Sequence, residues 1–377
     1  MPVPAALPFW LSLTLVPLAL IGAGVGGWTV LLLPLYAWVL FSLIDAVAGL
    51  NTVNPDTAAS DKALFWHRAI TIIWFPVQFF LIFGMIWYST HAQHLSAPEL
   101  AGLFFGMGVI SGTIGVNYAH EMMHQKSAVE RGLADLLLGM VLYSHFRSEH
   151  LRVHHLYVAT PRDAVTARYN EGFHRFFPRV LMQGPQSAFH AEAAMLARKG
   201  LPATHRSNPF WRYGAIQLAY LGLAFALGGW VGLALFCLQA IVAVWQLELV
   251  NYIEHYGLTR RHLGDGRYEH VQPHHSWNAT HRFSNWLLIN LQRHSDHHFK
   301  PDRRFPLLQT YSAEVAPHLP FSYPVMTTMA MLPPLWKRVM NQRVKEWRRL
   351  HYPDIADWHP YNKALNPIPR GAARIRS

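Results

Sequence analysis

Long apolar blocks separated by short polar breaks fill the first 120 residues, and the same pattern returns after residue 210. A helix needs about 20 apolar residues to cross the hydrocarbon core of a bilayer. Stretches of that order run from Phe9 to Gly26, Trp28 to Leu50, about Trp66 to Thr90, about Pro98 to Tyr118, Trp211 to Gly229 and Trp230 to Leu249. The pattern predicts an all-α integral membrane protein with six transmembrane helices. Gly26-Gly27 leaves room only for a tight turn between the first two, and Gly229 does the same for the last two. The first stretch lacks a basic leader and is followed at once by a second span, so it reads as a retained helix, not a cleaved signal peptide. Leu133 to Ser144 and Pro324 to Pro334 are apolar but too short to span, and suit re-entrant or interfacial positions. Residues 1–350 read as one membrane-embedded domain and 351–377 as a tail, with Asn366 to Ser377 disordered.

Charge refines this picture. Only 14% of residues are charged, against roughly 25% in soluble domains. The formal net charge is +11, which by itself suggests nucleic acid. Its placement argues against that: Lys and Arg are nearly absent from the apolar blocks and concentrate in the 119–210 loop and the tail, with no nucleic-acid-binding motif beside them. The 91–98 loop has neither residue. By the positive-inside rule the long loop, the tail and both termini lie on the cytoplasmic side of a bacterial-type inner membrane.

Histidine is the second anomaly: the chain has 24, more than its 21 Asp and Glu together. Four clusters matter. His120 and His124 in HEMMH are spaced i, i+4, which puts both rings on one helix face. HExxH is also a zinc-protease motif, but that site needs one further ligand and a water, not a field of histidines. His150, His154 and His155 follow. His150 and His154 share a face, while His155 is turned by about 100° from His154, so the adjacent rings suit different metals. His255 ends the sixth span. His294, His297 and His298 form the most specific local pattern, at i, i+3 and i+4. Nine imidazoles are too many for one ion and suit two, with an open position for dioxygen. Imidazole serves iron, copper, zinc and nickel alike, so ligand type leaves the element open. The paired ExxH motifs of carboxylate-bridged diiron bundles are absent.

Metal-bound histidine usually hands its other N–H to a carboxylate or carbonyl. Glu121, Glu149, Glu254 and Asp296 sit beside the clusters and are the candidates. Glu248 and Asp45 lie near span ends, where an ionisable group is a functional candidate. His274 and His275 read as a supporting or surface pair. Cys237 is the lone cysteine, so the chain can hold no disulfide or iron–sulfur cluster of its own. Redox chemistry here requires electrons from outside.

HEMMH at 120–124, EHLRVHH at 149–155 with YVATPRD at 157–163, NYIEHYGL at 251–258, GRYEH at 266–270, PHHSWN at 273–278 and LQRHSDHH at 291–298 together resemble the membrane alkane monooxygenase family. The likeness is collinear from roughly residue 28 to 345. It departs at Met122-Met123, where the family commonly has Leu-Gly. The resemblance implies two iron ions on the nine histidines, with neither haem nor flavin, and dioxygen as oxidant. It also implies hydroxylation of the terminal carbon of an alkane, with electrons from rubredoxin and its NAD(P)H-dependent reductase. Two related readings are a hydroxylase of xylene or cymene type and a fatty acyl desaturase or hydroxylase. A metal transporter is a different class, and it calls for polar groups at mid-membrane depth; the clusters here sit at span ends.

Overall fold

A computed structural model of the protein describes residues 3–364. The expected disorder of Asn366 to Ser377 therefore falls outside the described residues. Among the described residues, five helices are long and apolar enough to cross a membrane: Pro4–Val25, Gly27–Ala48, Phe65–His91, Ala97–Met123 and Phe210–His255. Large apolar side chains such as Leu20, Leu43, Phe80, Leu218 and Ile241 point outward from them, as expected of surfaces that face acyl chains.

The sequence pattern predicts six stretches, and the last two are merged in the 46-residue helix Phe210–His255. A straight helix of that length would extend about 69 Å, more than twice the bilayer's hydrocarbon core of about 30 Å. It is not straight. Gly229 leaves helical geometry (φ 57°, ψ −148°). A Cβ built on Gly232 would lie 2.6 Å from the Ala224 carbonyl oxygen; residues eight apart in one continuous helix are separated by about 12 Å. The chain thus folds back at Gly229, at the boundary the apolar pattern predicts, and both arms pack on Ile86. The other short hairpin turns on Gly26 and Gly27, both at positive φ. Glu99 secures it: one carboxylate oxygen accepts the Gly27 N–H at 2.5 Å, and the other closes a capping box with Ser96 at the start of Ala97–Met123.

Ala97–Met123 is the most enclosed of these helices, with 67% of its apolar window buried, so it forms the axis of the bundle. Small residues permit this. A Cβ on Gly108 would lie 2.6 Å from the Gln239 carbonyl oxygen, and one on Gly112 would lie 2.6 Å from that of Ala243. Gly108-xxx-Gly112 is the small-xxx-small spacing by which membrane helices approach closely.

A cap of shorter helices covers one end of the bundle and has a core of its own, including Phe173, Tyr252, Tyr256, Trp277, Tyr323 and Trp336. Its helix Pro333–His351 buries Trp336, Met340, Val344 and Trp347 at helical spacing, the stripe of an amphipathic helix. Tyr352, just beyond, is also buried. The apolar segments too short to span become Ala128–Met140 and Tyr323–Ala330. Both pack inward.

Candidate metal centre

All nine predicted histidines converge. Their ligand atoms form two groups: His120, His124, His150, His155 and His297, and His154, His255, His294 and His298. Within each group these atoms lie within 4.8 Å of one another. Nε2 of His150 is 2.9 Å from that of His120, 3.0 Å from that of His124 and 2.9 Å from that of His155. In the second group Nε2 of His298 is 3.1 Å from that of His294 and 3.2 Å from that of His154. Nitrogens about 2.1 Å from one shared ion, and at right angles to each other, are separated by about 3.0 Å. The donor spacing therefore fits metal ions.

The division between groups is a tertiary result. His154 and His155 go to different groups, as expected for adjacent rings. His150 does not pair with His154, the α-helical partner; it pairs with His155. The reason is local: His150–His154 is a π turn, whose wider coil aligns residues five apart. His297 likewise separates from His294 and His298, although all three share one short helix, His294–Phe299. Each of these two elements feeds both groups and ties them together.

The imidazoles are set up as neutral ligands. Burial, followed by the charge of neighbouring histidines, holds His150, His155, His294, His297 and His298 well below the usual imidazole range. Burial, then His154, brings His124 down to about 3. A neutral imidazole keeps its lone pair for a metal.

The four predicted supporting carboxylates differ in what they touch. Glu254 lies beside the second group: Oε2 is 3.3 Å from His294 Nε2, and Oε1 accepts the Tyr323 hydroxyl at 2.9 Å. Glu121 accepts the Phe305 N–H and the Gln125 amide. Asp296 is held by Arg303 and the Tyr311 hydroxyl, so it braces the loop that follows the ligand helix. Glu149 is 2% exposed, and neither of its oxygens has a hydrogen-bond partner among the described residues. Burial, then the negative charges of Asp163 and Glu248, holds its carboxyl well above the ordinary range. His275 lies in neither group; its Nε2 meets the Tyr352 hydroxyl at 2.7 Å.

Two residues that sequence reasoning missed matter more. His154 Nδ1–H donates to Asp163 Oδ2 at 2.9 Å, the carboxylate–histidine pairing that fixes a ligand's tautomer. Asp163 stands in the quoted YVATPRD run, but no periodicity connects it to His154. Asn278 accepts the Ser295 N–H at 2.9 Å and donates to Ser295 Oγ at 2.6 Å, which locks the ligand helix between His294 and His297. It stands in the PHHSWN run, again without a periodic signal.

A cavity with about 770 Å³ of atom-free space runs into the bundle from between the groups. His120, His150 and His294 line one end. Gly112 and Thr113, two turns back along the helix from His120, and Ala37 and Trp38 line it further in. Val116, Leu247, Leu287 and Leu291 contribute apolar wall. The three π turns among the described residues, Leu35–Leu40, Ser111–Gly115 and His150–His154, each place residues on this cavity. Such turns are rare, and they recur at functional sites.

Comparison with known proteins agrees with this geometry. The fatty acid desaturase family model matches residues 95–330, which contain every one of the nine histidines. Alkane 1-monooxygenase 2 of Pseudomonas aeruginosa is 36% identical over 312 residues, 82% of each chain. Alkane 1-monooxygenase of Pseudomonas putida is 35% identical over 347 residues, 90% of this chain and 85% of the relative. The hydroxylase component of xylene/toluene monooxygenase of Pseudomonas putida is 27% identical over 323 residues, 83% of this chain and 84% of the relative. With identities above 30% along most of its length, this chain belongs to the alkane 1-monooxygenase family, within the proteins that carry a fatty acid desaturase domain.

Proposed function

We propose that this protein is a membrane alkane 1-monooxygenase. In this reading dioxygen, two electrons and two protons convert the terminal methyl of an n-alkane to a primary alcohol, with water as the second product. The observation that carries the reading is the apolar cavity that ends on histidines of both groups. The higher identity to alkane 1-monooxygenases than to the xylene/toluene enzyme favours a linear alkane. Two iron ions are the proposed cofactor, one per histidine group; when bound they supply dioxygen activation and attack on an unactivated C–H bond.

The chain's own residues position and select. The nine imidazoles would hold the ions. Asp163 orients His154, and Tyr323 orients Glu254. An alkane offers no polar handle, so the cavity wall selects it by shape and apolar burial at about 0.8 kcal/mol per CH₂. Such a wall discriminates neighbouring chain lengths by only about 10–200-fold, and a range of alkanes is accepted.

The two arms around Gly229 count as separate spans, which makes six, with the cap and both termini on the cytoplasmic side of the inner membrane. The distribution of Lys and Arg supports this orientation. Electrons come from rubredoxin and its reductase; the excess of basic residues favours an acidic donor. The test is an assay of membranes containing the protein with iron, rubredoxin, reductase, NADH and a series of n-alkanes. Primary alcohol is the expected product. Formation of an alkene from a fatty acyl substrate, or no oxygen consumption with any alkane, overturns the reading.

A further inference from the structure

A buried arginine is normally paired, because an uncompensated charge in a low-dielectric interior costs several kcal/mol. Two buried arginines of the cap depart from this. Arg348 is 6% exposed and Arg260 is 8% exposed, and their hydrogen-bond partners among the described residues are neutral. Arg260 Nε donates to the Glu269 carbonyl at 2.7 Å, and Nη1 donates to the Leu156 carbonyl at 2.9 Å. Arg348 Nη2 donates to the Asn362 side-chain oxygen at 2.7 Å. Its guanidinium lies 4.4 Å from the Tyr169 ring centre and 4.3 Å from that of Trp358, and its Nε has no hydrogen-bond partner among the described residues. Carbonyl dipoles and ring faces hold these cations; the Glu269 carboxylate acts on Arg260 only through space, and no carboxylate bonds either guanidinium among the described residues.

Both arginines line one cleft, about 560 Å³ of atom-free space partly open to solvent. His262 lines it too, at 7% exposure, and neither of its ring nitrogens has a hydrogen-bond partner among the described residues. Arg168, which is exposed, stands at the same cleft. The nearby carboxylates are engaged elsewhere. Asp163 accepts from His154, Thr166 and Val165. Glu269 accepts the Arg261 N–H and the Tyr352 hydroxyl. Asp354 pairs with Arg261.

We propose that this cleft is a binding site for a phosphate-class oxyanion. Its donors come from separate stretches of chain, at 168, 260–262 and 348. They suit a tetrahedral anion that accepts from several sides better than a planar carboxylate served by one fork. An anion there supplies the missing counter-charge and partners for the orphaned His262 and Arg348 nitrogens. Asp163 forms part of the cleft wall and also bonds His154, so occupancy reaches the edge of the four-histidine group. The inference stands apart from the identity of the metals.

The experiment uses the full chain in phosphatidylcholine nanodiscs, titrated with pyrophosphate by calorimetry and ³¹P NMR at constant ionic strength. Saturable binding at one site per chain is expected. Arg348→Met, which keeps an apolar stem between Tyr169 and Trp358, is expected to weaken it about tenfold, the loss of a charge-assisted hydrogen bond. Arg168→Ala alters an exposed side chain and so keeps the test open if Arg348→Met misfolds; about threefold weakening is expected. Arg338→Ala, an equal charge loss outside the cleft, is expected to change nothing. Nanodiscs containing phosphatidic acid separate the sources. A blocked pyrophosphate signal there assigns the site to a lipid headgroup, and an unchanged signal assigns it to a soluble phosphate compound. No saturable binding, or equal weakening by Arg338→Ala and Arg168→Ala, overturns the proposal.

Discussion

The two histidine groups are built from the same ligand in different surroundings. The four-histidine group is buried throughout, and carboxylates stand on two sides of it, Asp163 behind His154 and Glu254 beside His294. The five-histidine group includes two partly exposed ligands, His124 and His155. It supplies two of the three histidines that face the cavity, His120 and His150. One group is braced from behind, and the other is open to its surroundings. The difference teaches that equal ligand chemistry does not make equal sites: supporting residues and access divide the labour.

The severest test of the comparison is a ligand that touches the shared scaffold. His297→Ala removes one imidazole from the five-histidine group, on the short helix that also carries His294 and His298. Loss of alcohol formation by at least about 10³-fold is expected, since residues acting as a unit fail together, while the amount of protein in the membrane stays unchanged. Gas chromatography and metal analysis read the outcome. Full turnover would remove His297 from the site.

Asp163→Asn sharpens the contrast. The amide is nearly isosteric but carries no charge to hold the His154 tautomer. Metal affinity of the four-histidine group is expected to fall about 10–100-fold, with the five-histidine group still loaded. A chelator titration should therefore release one ion early and one late. Simultaneous release would contradict independent bracing.

A third prediction concerns pH. Burial and neighbouring charge depress the imidazoles of the cap, His124 to about 3. The unfolded chain, with imidazoles near 6.5, therefore binds more protons than the folded one. Stability of the metal-free protein is fully present above about pH 6.5 and declines as the pH falls below it. Thermal melts between pH 7.5 and 5 should show the drop, and bound metal should oppose it. A flat profile would contradict neutral, buried ligands.

Two smaller effects concern the bundle. Gly112→Ala places a methyl 2.6 Å from the Ala243 carbonyl oxygen and is expected to destabilise by about 1–3 kcal/mol as the helices separate, read by a lower melting temperature. Trp38→Ala enlarges the inner end of the cavity. It is expected to shift preference toward longer alkanes by up to about 10–200-fold per methylene, with metal content unchanged. Competition assays between alkanes would reveal it.

Much of this was legible in one dimension. The apolar blocks carry the membrane helices, because a spanning helix must be apolar over a fixed length whatever its neighbours are. Even the reversal at Gly229, inside one continuous helical assignment, is visible as two blocks meeting at a glycine pair. The nine histidines are legible because helical spacing puts ligands on one face. Asp163 and Asn278 were not, because they act across loops whose course no periodicity reports. Asp296 stands beside His297 in sequence, yet its carboxylate is held by Arg303 and Tyr311, since neighbours on a short helix point in different directions.

The sequence by itself determined that this chain is helical, apolar enough for a bilayer and rich in grouped imidazoles, since length, hydropathy and i, i+4 spacing are local quantities. Only the tertiary structure decided which histidine joins which group. The π turn at His150–His154 exchanges the expected partner for His155, and a one-residue change in coil rotates a ring from one ion's reach to another's. It likewise decided where the cavity ends and which arginines have no bonded carboxylate among the described residues, because both depend on side chains brought together from distant parts of the chain.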